Sequence, residues 1–193
     1  SIQTEDMDEL IRFLDRSGMY TIARLPALRD AEYGRNNVEH GLFHSSRGYL
    51  WVDSAGCYWL NPSSEGAFAN LVQIVSELKA LGFDEVVFTD FRVPEGKDIY
   101  FPGVRSEVLT DTAAKLVQTC TDDRFAVSFV AENFTMPAGR SRTYLENISA
   151  GQIAQAVEQH PTEDPAVYLV FLTEVHDTRY DDYGALRPIG TAH

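Results

Sequence analysis

The chain has 193 residues, with 16 Lys+Arg against 29 Asp+Glu and a formal net charge of −13. This acidity excludes a nucleic-acid binder or a protein held on an anionic membrane surface, because both need a basic footprint. Apolar residues make up 44% and charged residues 23%, which is globular usage, and no apolar run reaches the roughly 18 residues of a membrane span.

Met7, Leu10, Ile11 and Leu14 fall at i, i+3, i+4, i+7, so residues 6–16 are expected to form an amphipathic helix that Gly18 stops. Tyr20–Leu25 reads as a strand ended by Pro26, and 30–48 as a long loop with a single helical turn. Residues 49–60 hold two short apolar-aromatic runs around Ser54-Ala55-Gly56, a hairpin-like excursion or a strand with a turn after it. Ser63 or Ser64 is the N-cap of a helix over 65–81, which buries Phe68, Leu71, Val72, Val75, Leu78 and Leu81 and closes on Gly82. Strands follow at 85–91, 125–131 and 167–172. Residues 94–104 and 133–142 are loops, 105–120 a helix, and 143–159 a helix through Leu145, Ile153, Ala154 and Val157. After Glu174 the chain turns polar, and 178–193 reads as a loosely ordered tail.

Near-continuous apolar strands alternating with helices imply a parallel α/β sheet or barrel. No glycine-rich phosphate loop follows any strand, and no G-x-S-x-G elbow is present. Cys57 and Cys120 lack metal-ligand spacing and read as free thiols, one disulfide being the alternative. His40 and His44 have i, i+4 spacing, but Gly41 between them weakens both the helix and a metal site. No metal or other cofactor is expected.

In parallel α/β folds the chemistry gathers at the C-terminal ends of strands. Here those ends deliver Asp90 with Arg92, then Glu132, then Glu174 with His176 and Asp177, while the first strand carries Arg24 and leads to Arg29-Asp30. Two carboxylates facing across a cleft are the machinery of glycosidic cleavage. The plain alternative for each acid is a salt bridge or a helix cap. Trp51, Tyr58 and Trp59 offer faces on which a sugar ring stacks, or else fill the core.

Tyr20-Thr-Ile-Ala-Arg24, Arg29-Asp30, Trp59-Leu-Asn-Pro62, Gly82-Phe-Asp-Glu-Val-Val-Phe88 and Phe91-Arg92-Val93-Pro94 stand in the order found in a glycoside-hydrolase-like (β/α)-barrel family of bacterial proteins, which the chain resembles over residues 6–105. The resemblance implies a TIM-barrel-like fold and a hydrolase acting on a polysaccharide or cell-envelope glycan. Glu132 would be the general acid, with Glu174 as the alternative, and Asp90 the nucleophile or base. Arg24, Asp30, Trp51, Tyr58, Trp59, Arg92 and His176 would bind substrate. It also implies an extracellular or cell-envelope location rather than a cytoplasmic one. The family's strand-end acid falls on Thr89 here, with Asp90 one residue later. A one-residue shift sends a strand side chain to the opposite face. Either a local bulge re-aims Asp90, or the chain is a degenerate member that binds carbohydrate or serves as a structural domain of a larger envelope protein. A complete barrel needs about 250 residues, so residues 1–193 are expected to form one incomplete barrel of fewer than eight strands, the C-terminal portion of a larger one, whose open edges invite self-association.

Overall fold

The computed structural model describes residues 4–187. Helix α1 (Thr4–Arg16) leads to β1 (Ile22–Pro26), then α2 (Ala31–Asn36), a 3-10 turn over Val38–His40 and β2 (Phe43–His44). Helix α3 (Glu65–Leu81), β3 (Glu85–Thr89), β4 (Ile99–Tyr100), α4 (Arg105–Cys120) and β5 (Ala126–Val130) follow. The chain then forms β6 (Thr143–Glu146), α5 (Ile153–Gln159), α6 (Pro165–Tyr168), β7 (Leu169–Leu172) and β8 (Gly184–Leu186). Six strands make one parallel sheet in the order β1-β3-β5-β6-β7-β8, while β2 and β4 pair separately as an antiparallel ribbon.

The sheet curls into a partial barrel. Arg24 of β1 and Leu186 of β8 line one cavity although they sit at opposite ends of the sheet; in a flat sheet their strands would stand roughly 24 Å apart. Alternation along each strand then divides two faces. Val86 and Phe88 pack outward against Leu71, Val75, Leu109 and Leu116 of α3 and α4. Val87, Tyr144 and Val170 point inward, joined by Ile22, Val130 and Leu172, and fill the lumen. Ser64 caps α3 by accepting a hydrogen bond from the Ala67 N–H, and Gly82 closes that helix at φ 95°, a left-handed turn that favours glycine.

The lumen is closed at its N-terminal end by a polar plug. Glu85 is fully buried and pairs with Arg142, whose Nε donates to Glu85 Oε1 at 3.2 Å and whose Nη2 bonds the other oxygen. The Tyr144 hydroxyl donates to the same Oε1 at 3.1 Å.

Several elements differ from expectation. Residues 143–159 are not one helix: Thr143–Glu146 is a central strand, a Ser149/Gln152 capping box starts a 3-10 turn, and only Ile153–Gln159 is α-helical. Leu145 is therefore buried from a strand, and Ala154 is exposed. Pro165 starts a short helix that takes in Val167 and Tyr168, the first two residues of the expected strand, since proline is pre-set for the first helical position. Leu10 of α1 is exposed, and Ile11 carries that helix's burial. The stretch after Glu174 is ordered through Arg187: Asp177 caps a 3-10 turn, Tyr180 is buried, and β8 adds the sixth strand. The rest of the expected tail, 188–193, lies outside the described residues.

Candidate functional site

Strand alternation assembles the acids. Val130 and Leu172, the last residues of β5 and β7, pack at the lumen, and Glu132 and Glu174 follow two residues beyond them at the C-terminal rim. Tyr144 faces inward and so does Glu146, which binds Arg24 of β1 across the mouth. Thr89 is the inward position of β3, in step with Val87. Asp90 would turn outward, but its φ of 50° places it in the left-handed region directly after the strand. The β1–β3 register runs unbroken to Thr89. The side chain is thus re-aimed by one left-handed residue beyond the strand, not by a bulge within it.

The re-aimed Asp90 meets Glu132 through one cation. Arg92 Nη2 lies 3.7 Å from Asp90 Oδ1, and Arg92 Nε lies 3.5 Å from Glu132 Oε1. Two oxygens that share one guanidinium are at most about 9–10 Å apart, a range that includes both the retaining and the inverting separations of glycosidases. Burial pushes the Glu132 carboxyl above the ordinary carboxylate range; Arg92 pulls it back, while Asp90 and Glu146 add to the rise. A carboxyl whose pKa is raised by burial, facing a second carboxyl across one cation, suits the acid role of such a pair.

Arg92 is itself held from below. Its guanidinium lies 5.3 Å from the centre of the Trp59 ring, a cation–π contact. Trp59 Nε1 donates to Asp53 Oδ2 at 3.1 Å, and Arg29 Nε donates to the same oxygen at 2.7 Å. The other Asp53 oxygen accepts from the Ala55 and Cys57 N–H groups at 2.9 and 3.0 Å. The Arg29 bond, followed by these N–H bonds, holds the Asp53 carboxyl well below the ordinary range. Trp51, half-buried, lines the same cleft as Trp59, Asp90 and Arg92.

The remaining candidates divide. Glu174 lines the neighbouring cleft with Arg24 and Glu146. Asp30 caps α2, accepting from the Glu32 and Tyr33 N–H groups, so its oxygen is engaged in structure. Tyr58 packs its Cβ against Gly34 of α2, away from Asp90 and Glu132. His176 is exposed and lies outside the cleft that holds Glu174. Among the described residues no group of three or more His, Cys, Asp and Glu is placed to hold a metal. His40 is instead bound to Ser64 Oγ at 2.8 Å. Cys57 and Cys120 are free thiols. No helix among the described residues is long and apolar enough to cross a membrane.

Sequence reasoning missed two groups. Glu146 was hidden by the helical reading of 143–159, although the Ser149–Gln152 capping box marks where the helix begins. Asp53 lay in a turn whose acid carried no signal beyond the following Ala55-Gly56.

The family model described as "Putative glycosyl hydrolase domain" matches residues 1–125. No curated protein matches the chain. Among solved structures it is similar to a hypothetical protein from Ruminiclostridium thermocellum, at 21% identity and TM-score 0.57 over 63% of this chain and 64% of that one. It is also similar to Aspergillus fumigatus Ega3 in complex with galactosamine, at 13% identity and TM-score 0.58 over 91% and 73% of the two chains. The glycoside hydrolase domain of PelA from Pseudomonas aeruginosa matches at 14% identity and TM-score 0.58, over 91% and 75%. At these identities the shared property is the TIM-barrel-like fold. The chain spans 64% of the Ruminiclostridium protein and 27% of a cycloalternan-degrading enzyme from Trueperella pyogenes.

Proposed function

The chain belongs to the family described as "Putative glycosyl hydrolase domain", and from that premise we propose that it hydrolyses glycosidic bonds in a polysaccharide or cell-envelope glycan, with Glu132 as general acid and Asp90 as nucleophile or base. The observation that carries this reading is the single guanidinium of Arg92 between two strand-end carboxylates, one of which, Glu132, has its pKa raised by burial. Glu132 gives its proton to the leaving oxygen as the bond from that oxygen to the anomeric carbon breaks. Asp90 either attacks that carbon, to be displaced later by a water that Glu132 deprotonates, or itself takes the proton of a water attacking from the opposite face. Arg92, 3.7 Å from Asp90, offsets its negative charge beside the sugar. Trp51 stacks on an apolar sugar face, and Glu174 is the alternative acid from across the mouth. The chemistry needs no cofactor.

A second reading is favoured by one residue: Thr89 occupies the inward position where the resembled family carries its acid. In that reading the protein binds glycan without cleaving it. Incubation with a panel of soluble polysaccharides separates the two. Hydrolysis predicts reducing ends from the wild type and none from Glu132→Gln; equal release by both removes Glu132 from the role. Retention by a polysaccharide without any release by the wild type favours the binding reading. The site of action proposed is extracellular or in the cell envelope, where such glycans lie. The outer edges of β1 and β8 have no partner strand among the described residues. Self-association through them would appear as a concentration-dependent mass by light scattering, and a monomer at all concentrations would exclude it.

A further inference from the structure

Two open clefts flank the Asp90–Arg92–Glu132 rim. One, of about 570 Å³, lies on the side of β1 between Trp51, Trp59, Arg29 and Arg92. The other, of about 770 Å³, starts at Glu132 and runs outward between Ser106 and Thr110 of α4, Asn133 of the β5–β6 connection, and Gln159 and His160 at the end of α5. Their linings share no residue, and they adjoin where Arg92 of the first lies against Glu132 of the second, Nε to Oε1 at 3.5 Å. Each is of the size that holds a whole small ligand.

The walls of the second cleft are built. Thr110 Oγ1 donates to the Ser106 carbonyl at 2.8 Å and accepts from the Thr135 N–H at 3.0 Å, tying the β5–β6 connection to α4. No helix stands between β5 and β6, unlike β3 and β5 with α4 between them, so this connection forms a low rim instead of a wall. The two clefts differ in chemistry. One offers aromatic faces and a guanidinium, and the other hydroxyl and amide groups with the carboxylates of Glu107 and Asp111, all of the kind that bond sugar hydroxyls.

A site that trims chain ends needs a barrier that stops the polymer just past the cleaved bond. Here the reacting pair stands between two open clefts, Asp90 lining one and Glu132 the other. We infer that the site is endo-acting: it takes an internal stretch of a polysaccharide, one side on Trp51 and Trp59, the other along Ser106, Asn133, Gln159 and His160, and cuts between them. This rests on the hydrolase reading above.

The test uses the protein with chitosan, dextran, carboxymethylcellulose and polygalacturonate. For each polymer cleaved, viscosity is followed against reducing ends, and products are sized by chromatography. The inference predicts an early loss of viscosity with few new ends, oligosaccharides of mixed length, and kcat/KM that grows with oligomer length. Asn133→Ala with Gln159→Ala should raise KM for the polymer about tenfold, from two lost hydrogen bonds. Mono- or disaccharide as sole product, with viscosity held, overturns endo action and leaves the hydrolase reading intact. No reducing ends from any of the four, with retardation in polymer-containing gels, overturns the hydrolase reading and this inference with it.

Discussion

Replacing Glu85 by Ala should cost about 3 kcal/mol of stability. The carboxylate is 0% exposed, bonded at one oxygen by Arg142 Nε and the Tyr144 hydroxyl and at the other by Arg142 Nη2. Removing one partner of a buried pair costs about 3–5 kcal/mol, because the other charge is left uncompensated. The Arg142 side chain is 28% exposed and regains some water, which puts the cost at about the low end of that range. In a domain of this length each kcal/mol moves the midpoint by about 2–4 °C, so a fall of roughly 6–12 °C is expected. Thermal unfolding followed by circular dichroism measures it. The Glu85→Leu/Arg142→Leu double variant, which removes both charges, should recover much of the loss. A loss under about 1 kcal/mol, or a double variant as damaged as the sum of the singles, would refute the reasoning. Tyr20 lies beside the plug, its ring 5.3 Å from the Arg142 guanidinium, and its hydroxyl is pushed up to about 12, first by partial burial and then by the Glu85 charge. In Glu85→Ala its ultraviolet titration should move down.

The Glu132 carboxyl must be protonated to act as acid, so it sets the basic limb of the pH–kcat/KM profile. Arg92→Ala removes the cation that lowers its pKa and should move that limb to higher pH, whereas Asp90→Asn removes a charge that raises it and should move any residual activity's limb to lower pH; shifts in the opposite sense would exclude Glu132. Asp53 is held well below the ordinary range by Arg29 and by the N–H groups of its turn. Its contribution to stability is therefore full above about pH 4 and lost as pH falls through its folded value. Asp53→Asn should flatten the acid limb of stability and lower kcat by loosening Trp59 beneath Arg92; an unchanged acid limb in urea melts counts against that network. Trp51→Ala should weaken oligosaccharide binding about three- to tenfold, by loss of one stacking face, as calorimetry would read; unchanged affinity removes it from the cleft's function.

Much of the barrel was legible because periodicity is a local signal. The 3.6-residue spacing of Leu71, Val75 and Leu78, with Val86, Phe88, Val127 and Phe129 of the strands, carries the outer core, and Glu132 was legible as an acid just past a strand end. Strand β6 was not legible. Leu145, Ile153 and Val157 fall on a helical period by coincidence, and only the Asn147 turn at φ 58° and the capping box after it separate strand from helix. Asp90 was legible as a strand-end acid but not in its direction, since alternation predicts the outer face and one left-handed residue reverses that. Asp30 caps α2 with one oxygen, and a capping aspartate and a substrate-binding one look alike until the helix behind it is seen. Asp53 acts through partners 24 and 6 residues away, Arg29 and Trp59, contacts that no local pattern encodes.

The central claim is that Asp90 and Glu132 act as a pair across one mouth. A cycle of Asp90→Asn, Glu132→Gln and the double variant, read as kcat on the best cleaved polysaccharide, tests it most directly. Groups that act as a unit are non-additive, so each single change should abolish nearly all turnover and the double should be no slower than the worse single. Additive losses, or a full rate in either folded single variant, would contradict the account.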